Sequence, residues 1–146
     1  MILPNFQERL SDLMIENDLT PTTLGEILGS NRVTLNRYLS GSRTPTVELL
    51  IKIADHFRCT LDYLIGTEDV NYPTDFLTPP PFSQRIYELC DLFHVSRYEI
   101  QNKTQISMAS IYTWQKSSHY PTIDNILRLA EFFGCTVDLV IGRTRS

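Results

Sequence analysis

The fold is decided by residues 19–46, which read LTPTTLGEILGSNRVTLNRYLSGSRTPT. The pair Thr20-Pro21 predicts a helix start, because a hydroxyl side chain caps the first free N–H groups and proline suits the first helical turn. A break at Gly29-Ser30-Asn31 separates this helix, predicted over 21–28, from a second helix predicted over 31–39. The stretch therefore predicts two short helices joined by a tight turn.

Three further helices are predicted around this pair. The first lies before it, where Phe6, Leu10 and Leu13 recur at helical spacing. After it, Thr46 caps a helix whose apolar face is formed by Val47, Leu50, Ile51, Ala54 and Phe57. Thr60 caps a last short helix that ends at Gly66. No alternating pattern of a β-strand competes, so the fold class is predicted to be all-α.

The chain contains this five-helix pattern twice. At a shift of 76 positions, residues 4–66 align with residues 80–142 without a gap. The clearest repeated block is Phe57-x-Cys59-Thr60-x-Asp62-x-x-Ile65-Gly66, which recurs as Phe133-x-Cys135-Thr136-x-Asp138-x-x-Ile141-Gly142. We therefore predict two tandem domains, at residues 1–66 and 82–146.

The second copy repeats the helix signals of the first. Ser96 and Glu99 form a capping box at its second helix, and Thr122 caps its fourth. The inward residues predicted for that fourth helix are Ile123, Ile126, Leu127, Ala130 and Phe133. Between the copies, residues 67–81 (TEDVNYPTDFLTPPP) are acidic and rich in proline, which predicts a linker. Docking of its Tyr72, Phe76 and Leu77 on one of the domains remains open.

Composition narrows the class of protein. The chain has 146 residues, a net charge of −4 and three cysteines. An odd cysteine count without metal spacing excludes a disulfide framework and favours the reducing cytoplasm. No apolar run is long enough to span a bilayer, and residues 1–10 lack the pattern of a secretory signal. We therefore expect a cytoplasmic protein with no membrane association.

Residues 19–46 resemble the helix-turn-helix of the phage repressor and Cro (Xre-like) family, and residues 49–57 and 61–66 resemble the last two helices of that family. The resemblance covers essentially all of the first copy and, more loosely, all of the second. The resemblance implies a five-helix domain whose third helix enters the major groove of operator DNA. It also implies a transcriptional regulator, usually a repressor, that binds double-stranded DNA as a dimer. In this chain, pairing of two chains through the second domain and a pseudo-dimer within one chain are both compatible with the linker.

The residues of the third helix have the chemistry that base reading needs. On a helix that begins near Asn31, Leu35 and Tyr38 point inward, and the outward positions are Arg32, Val33, Asn36 and Arg37. Arginine pairs with guanine, asparagine pairs with adenine, and valine contacts the methyl group of thymine. Arg43 follows the helix at a position suited to a phosphate. The alternative is that these polar groups are simply solvated on a surface helix.

The second copy departs from the first. Its DNA-binding candidates are Arg97, Ser107, Met108, Tyr112 and Lys116. The outward positions 108, 109, 112 and 113 offer few specific donors to bases, and Trp114 is predicted to be core. Gln105 replaces the turn residue Gly29. The family usually has glutamine at the start of its second helix, where this chain has Pro21 and Arg97. We therefore expect that the first copy reads sequence, while the second binds DNA less specifically or mediates pairing.

Positive charge is concentrated in the helix-turn-helix segments, since residues 20–46 and 96–122 each carry a net charge of +2.

No metal-ligand spacing, phosphate-binding loop or nucleophile motif occurs in the sequence. Cys59 and Cys135 are expected in the core and His56 on a helix surface. We predict no cofactor and no enzymatic activity. The alternative function is an interaction or antitoxin-like module that uses the same scaffold for assembly.

Overall fold

The computed structural model describes residues 5–145, which form ten helices and no strand. This confirms the all-α fold class. Chain contacts divide the protein into two compact units, unit 1 (Met1–Thr74) and unit 2 (Asp75–Ser146). Residues 1–4 and 146 of the predicted domains lie outside the described residues.

Unit 1 contains α1 (Phe6–Glu16), α2 (Pro21–Ile27), α3 (Arg32–Ser40), α4 (Val47–Phe57) and α5 (Leu61–Ile65). Unit 2 contains α6 (Phe82–Phe93), α7 (Arg97–Thr104), α8 (Met108–Lys116), α9 (Ile123–Phe133) and α10 (Val137–Ile141).

Polar side chains set the start of four helices in each unit. Each cap oxygen accepts a hydrogen bond from the backbone N–H three residues later, which satisfies a donor that the helix leaves free. These caps are Thr20, Asn31, Thr46 and Thr60 in unit 1 and Ser96, Ser107, Thr122 and Thr136 in unit 2. Equivalent caps are 76 positions apart, as are the limits of α3 and α8, α4 and α9, and α5 and α10.

Four equivalent helix pairs are in contact in both units, and unit 2 has a further contact between α7 and α9. In unit 1, α1 packs on α3 and α5, α2 packs on α3, and α4 packs on α5. In unit 2, α6 packs on α8 and α10, α7 packs on α8, and α9 packs on α10. The arrangement places α3 and α8 at equivalent positions of the two units.

The core residues follow the predicted apolar positions with small differences. Leu24, Leu35 and Tyr38 are buried in unit 1, and Trp114 is buried in unit 2, where it meets Phe82 edge-on. Phe57 is only half-buried.

The predicted inward position of Leu127 in α9 is wrong, because this residue is half-buried whereas Leu129 is fully buried. At about 100° per residue, Leu129 lies closer than Leu127 to the direction of Ile126, which is at the centre of the inward face.

In each unit, an arginine of the first helix donates hydrogen bonds to carbonyl groups at the last helix, and the two arginines occupy equivalent positions. In unit 1, the Arg9 guanidinium donates to the carbonyl oxygens of Tyr63 and Glu68. In unit 2, Arg85 donates to the carbonyl of Leu139 at 2.5 Å. A cation at these carbonyls complements the negative end of the last helix in each unit.

Arg85 also pairs with Glu88, with 2.9 Å between Nη1 and Oε1. The hydrogen bonds that Glu88 accepts from Gln84 and Arg85 lower the pKa of this carboxyl group.

The predicted linker is anchored at both ends. On unit 1, the Asn71 side chain accepts from the N–H of Thr60 at 3.0 Å and donates to the carbonyl of Arg58 at 3.4 Å. On unit 2, the N–H of Leu77 donates to the carbonyl of Arg143 at 2.8 Å, and the Phe76 ring lies 4.1 Å from the Arg143 guanidinium. The boundary between the two units, after Thr74, lies inside the predicted linker. The first part of the linker therefore belongs to unit 1 and the last part to unit 2.

Arg143 is fully buried and forms an ion pair with the buried carboxylate of Asp138. Buried charges require such a partner, because removal from water is costly for each ion. In unit 1 the equivalent residues are Asp62 and Thr67, which share a hydrogen bond of 2.7 Å between their side chains. This ion pair, which was not predicted from the sequence, distinguishes unit 2 from unit 1.

Candidate nucleic-acid interface

Helices α2 and α3 approach each other closely at Gly25. This residue is buried, and a Cβ atom on it would lie 2.9 Å from the carbonyl carbon of Asn31 and 3.0 Å from its Cα. The N–H of Ser30 donates to the carbonyl of Gly25 at 2.7 Å, which closes the turn. Gly25 therefore fixes the separation of the two helices and the position at which α3 begins.

The turn itself requires a left-handed backbone at Gly29, whose φ is +70°. The equivalent Gln105 of unit 2 adopts φ +63° although it has a side chain. Glycine adopts this conformation without steric cost, whereas other residues are disfavoured there. The turn geometry is therefore kept in unit 2 despite the substitution.

Helix α3 presents one polar face to solvent. Leu35 and Tyr38 are buried, as predicted, and Arg32, Asn36 and Arg37 are exposed. Within the part of the chain that the structure describes, none of these three polar side chains forms a hydrogen bond or an ion pair. Val33, on the same side, is 52% exposed. The face therefore offers two guanidinium groups, one amide and one apolar group, which are the chemical groups used to contact base edges.

Two other candidates of unit 1 lie at the ends of α3. The Asn31 side-chain oxygen accepts from the N–H of Thr34 at 2.9 Å, so this oxygen caps the helix. Arg43 is exposed in the segment after α3, and its backbone N–H donates to the carbonyl of Arg37 at 3.3 Å. The structure thus brings all six unit 1 candidates to α3 and its two ends.

The joint between α7 and α8 in unit 2 is built differently. Gln101 occupies the position of Gly25, and its Oε1 accepts from the N–H of Met108 at 2.8 Å. The Ser107 hydroxyl caps α8 by accepting from the N–H of Ser110 at 3.1 Å. Met108 is half-buried, so its predicted outward position is only partly correct. Gln101 therefore connects the two helices where Gly25 lets them touch directly.

Arg97, at the start of α7, contacts α8. Its Nη1 donates to Oε1 of Gln115 at 3.1 Å, and its Cζ lies 5.3 Å from the centre of the Tyr112 ring. Tyr98 and Tyr112 are 67% and 48% exposed, and Lys116 is also exposed. Arg97 and Tyr112 lie at the contact between α7 and α8, and the exposed residues Tyr98 and Lys116 are on the same two helices. We call these four residues the aromatic–basic patch.

The remaining titratable residues do not assemble a metal site within residues 5–145, where no three of the His, Cys, Asp and Glu side chains form such a group. Cys59 is buried as expected, whereas Cys135 is half-buried. Burial raises the pKa of the half-buried Cys90 thiol. His56 is exposed on α4, as predicted.

No helix in the described part of the chain is long and apolar enough to cross a membrane.

Comparison with known proteins supports the assignment of unit 1. Residues 10–64 match the model of a family described as Helix-turn-helix, and this segment runs from α1 into α5. Unit 1 is thus similar to helix-turn-helix domains, a class of domain found in DNA-binding regulators of transcription. No curated protein and no solved structure matches the chain.

Proposed function

We propose that this protein is a sequence-specific regulator of transcription that inserts helix α3 of unit 1 into the major groove of double-stranded DNA. The observation that carries the proposal is the exposed face of α3, where Arg32, Asn36 and Arg37 have no partner within the described part of the chain. The close approach of α2 and α3 at Gly25 positions this face. Occupation of an operator would repress transcription by blocking the polymerase, inside the cytoplasm.

Each residue of the face has a distinct role in this proposal. Arg32 and Arg37 contact guanine, Asn36 contacts adenine, and Val33 packs against a thymine methyl group. Arg43, beyond the end of α3, contacts a phosphate and so sets the position of the helix without reading sequence. The protein has a net charge of −4, so the +2 charge of residues 20–46 is what attracts the polyanion to this side of unit 1.

We further propose that unit 2 arose as a second copy of unit 1 and has diverged. The equivalent caps and the equivalent helix contacts support a duplication. Its α8 carries none of the arginine or asparagine side chains that the exposed face of α3 carries. Unit 2 therefore either binds a second half-site less specifically or mediates association, and base reading is assigned to unit 1.

Selection of random double-stranded DNA by the purified full-length protein tests the function. The wild-type protein should enrich a motif, and the Arg32→Ala/Asn36→Ala variant should lose it. Each lost base contact is expected to cost about 1–3 kcal/mol. Lys52→Ala, which changes an exposed residue of α4, is the matched control and should keep the motif. Absence of any enriched sequence at low salt would contradict the proposal.

The second candidate function is a protein-interaction module. Exposed Tyr98 and Tyr112 favour it, because tyrosine is enriched in protein interfaces. A stoichiometric protein partner together with no enriched DNA would support this function instead.

A further inference from the structure

The aromatic–basic patch of unit 2 has no counterpart in unit 1. At the positions equivalent to Arg97, Tyr98, Tyr112 and Lys116, unit 1 has Pro21, Thr22, Asn36 and Ser40. Unit 2 therefore has two exposed aromatic rings and two additional cations on a surface that is small or polar in unit 1. Tyrosine and arginine are enriched at the centre of protein interfaces.

Contacts within unit 2 hold Arg97 and Tyr112 of the patch in a defined arrangement. Arg97 bridges to Gln115 and lies beside the Tyr112 ring, while Tyr112 and Lys116 are four residues apart on α8 and so share one face. Side chains that are ordered before binding lose less entropy when a partner docks. Because the patch carries two positive charges, pairing of one patch with another patch is disfavoured by repulsion.

A complementary surface exists on unit 1. The outer face of α1 carries Glu8, Asp12 and Ile15, which are three or four residues apart and all exposed. Ile15 is 71% exposed, more than any other large hydrophobic residue of the described chain. The nearby Arg9 does not neutralise this face, because its guanidinium contacts Tyr63 and Glu68 carbonyl groups. We call Glu8, Asp12 and Ile15 the acidic face.

We propose that the aromatic–basic patch of one chain binds the acidic face of α1 in a second copy of the chain. Lys116 and Arg97 pair with Asp12 and Glu8, and the tyrosine rings cover Ile15. The two surfaces belong to different units, so the contact is head to tail and joins unlike surfaces. Chains that occupy neighbouring sites on DNA would then bind cooperatively. Self-association can be measured without DNA, so the result tests this contact separately from the proposed binding to DNA.

Sedimentation of the full-length chain without DNA tests this contact. We expect association at about 50 mM salt that weakens at about 500 mM, because exposed charge pairs are screened at high salt. Lys116→Glu and Asp12→Lys should each weaken self-association about tenfold, since each turns an attraction into a repulsion. Lys52→Glu reverses an exposed charge on α4 and should have no effect. Circular dichroism checks that each variant is folded.

Mixing the two weakened variants gives the decisive result. The Lys116→Glu chain keeps a native acidic face and the Asp12→Lys chain keeps a native patch, so the mixture should form 1:1 pairs through one native contact, which neither variant forms alone at the same concentration. A wild-type protein that stays monomeric at both salt concentrations would overturn the proposal. So would a mixture that fails to associate. If wild type is monomeric while Lys116→Glu weakens binding to every duplex equally, the patch belongs to the DNA backbone instead.

Discussion

Gly25 is the residue at which one added methyl group should separate helix α2 from helix α3. In a Gly25→Ala variant, the new Cβ would lie 2.9 Å from the carbonyl carbon of Asn31 and 3.2 Å from its nitrogen. Carbon atoms in contact are about 3.5–4.0 Å apart, so the start of α3 must move by more than about 0.5 Å. The atoms in the way are backbone atoms, which cannot rotate aside as a side chain can.

The energy of this change has two opposing parts. Overpacking of a tight contact costs about 1–3 kcal/mol. Alanine in a helix interior is favoured over glycine by about 1 kcal/mol, which offsets part of that cost. We expect the free energy of unfolding of unit 1 to fall by about 1 kcal/mol. Binding to the selected DNA should fall by about tenfold or more, because a displaced α3 weakens base contacts worth about 1–3 kcal/mol each.

Urea denaturation and fluorescence anisotropy with a labelled duplex measure the two effects. Thr22→Ala is the matched control, because it places alanine on the exposed side of the same helix and should leave stability and affinity almost unchanged. A Gly25→Ala protein that is as stable as wild type and binds the duplex equally well would refute the role we give to this contact.

Three further predictions concern unit 2. Gln105→Gly should raise its free energy of unfolding by about 0.5–1 kcal/mol, because glycine tolerates the left-handed φ; a lower urea midpoint would contradict this. Asp138→Asn should lower that free energy by about 3–5 kcal/mol, because it leaves Arg143 buried without a counter-charge; a loss below about 1 kcal/mol would show that the ion pair is not needed. The lowered pKa of Glu88 means that its carboxylate stabilises the folded state above the unfolded pKa and loses this contribution as the pH falls through the folded pKa. Glu88→Gln should therefore reduce stability at neutral pH, and urea titrations should show the difference shrinking in acid.

Local signals in the sequence were sufficient to predict the helices. The limits of α2 and α3 follow from Thr20, Pro21 and Asn31, because caps and turns depend on residues close together in the chain. The outward set on α3 was predictable for the same reason, since helical spacing alone separates Leu35 from Arg32 and Asn36.

Contacts that depend on how the helices pack were not predictable in this way. The ion pair of Asp138 and Arg143 depends on the closed last turn of unit 2 and on Phe76, which lies far away in the chain. The approach at Gly25 depends on the crossing of two helices, although a glycine inside a helix is a signal that could have directed attention to it. The role of Gln101 has no sequence signal, because its partner is a backbone N–H group.

The anchored ends of the segment between the units determine how the protein should be divided into fragments. A cut at the predicted boundary after residue 66 would remove Asn71 from unit 1 and expose the N–H of Thr60 that it satisfies. A fragment that starts at residue 82 would lack Phe76 and uncover the Arg143 guanidinium. Protease cleavage and gene dissection should therefore give the most stable halves when the chain is cut between Tyr72 and Asp75.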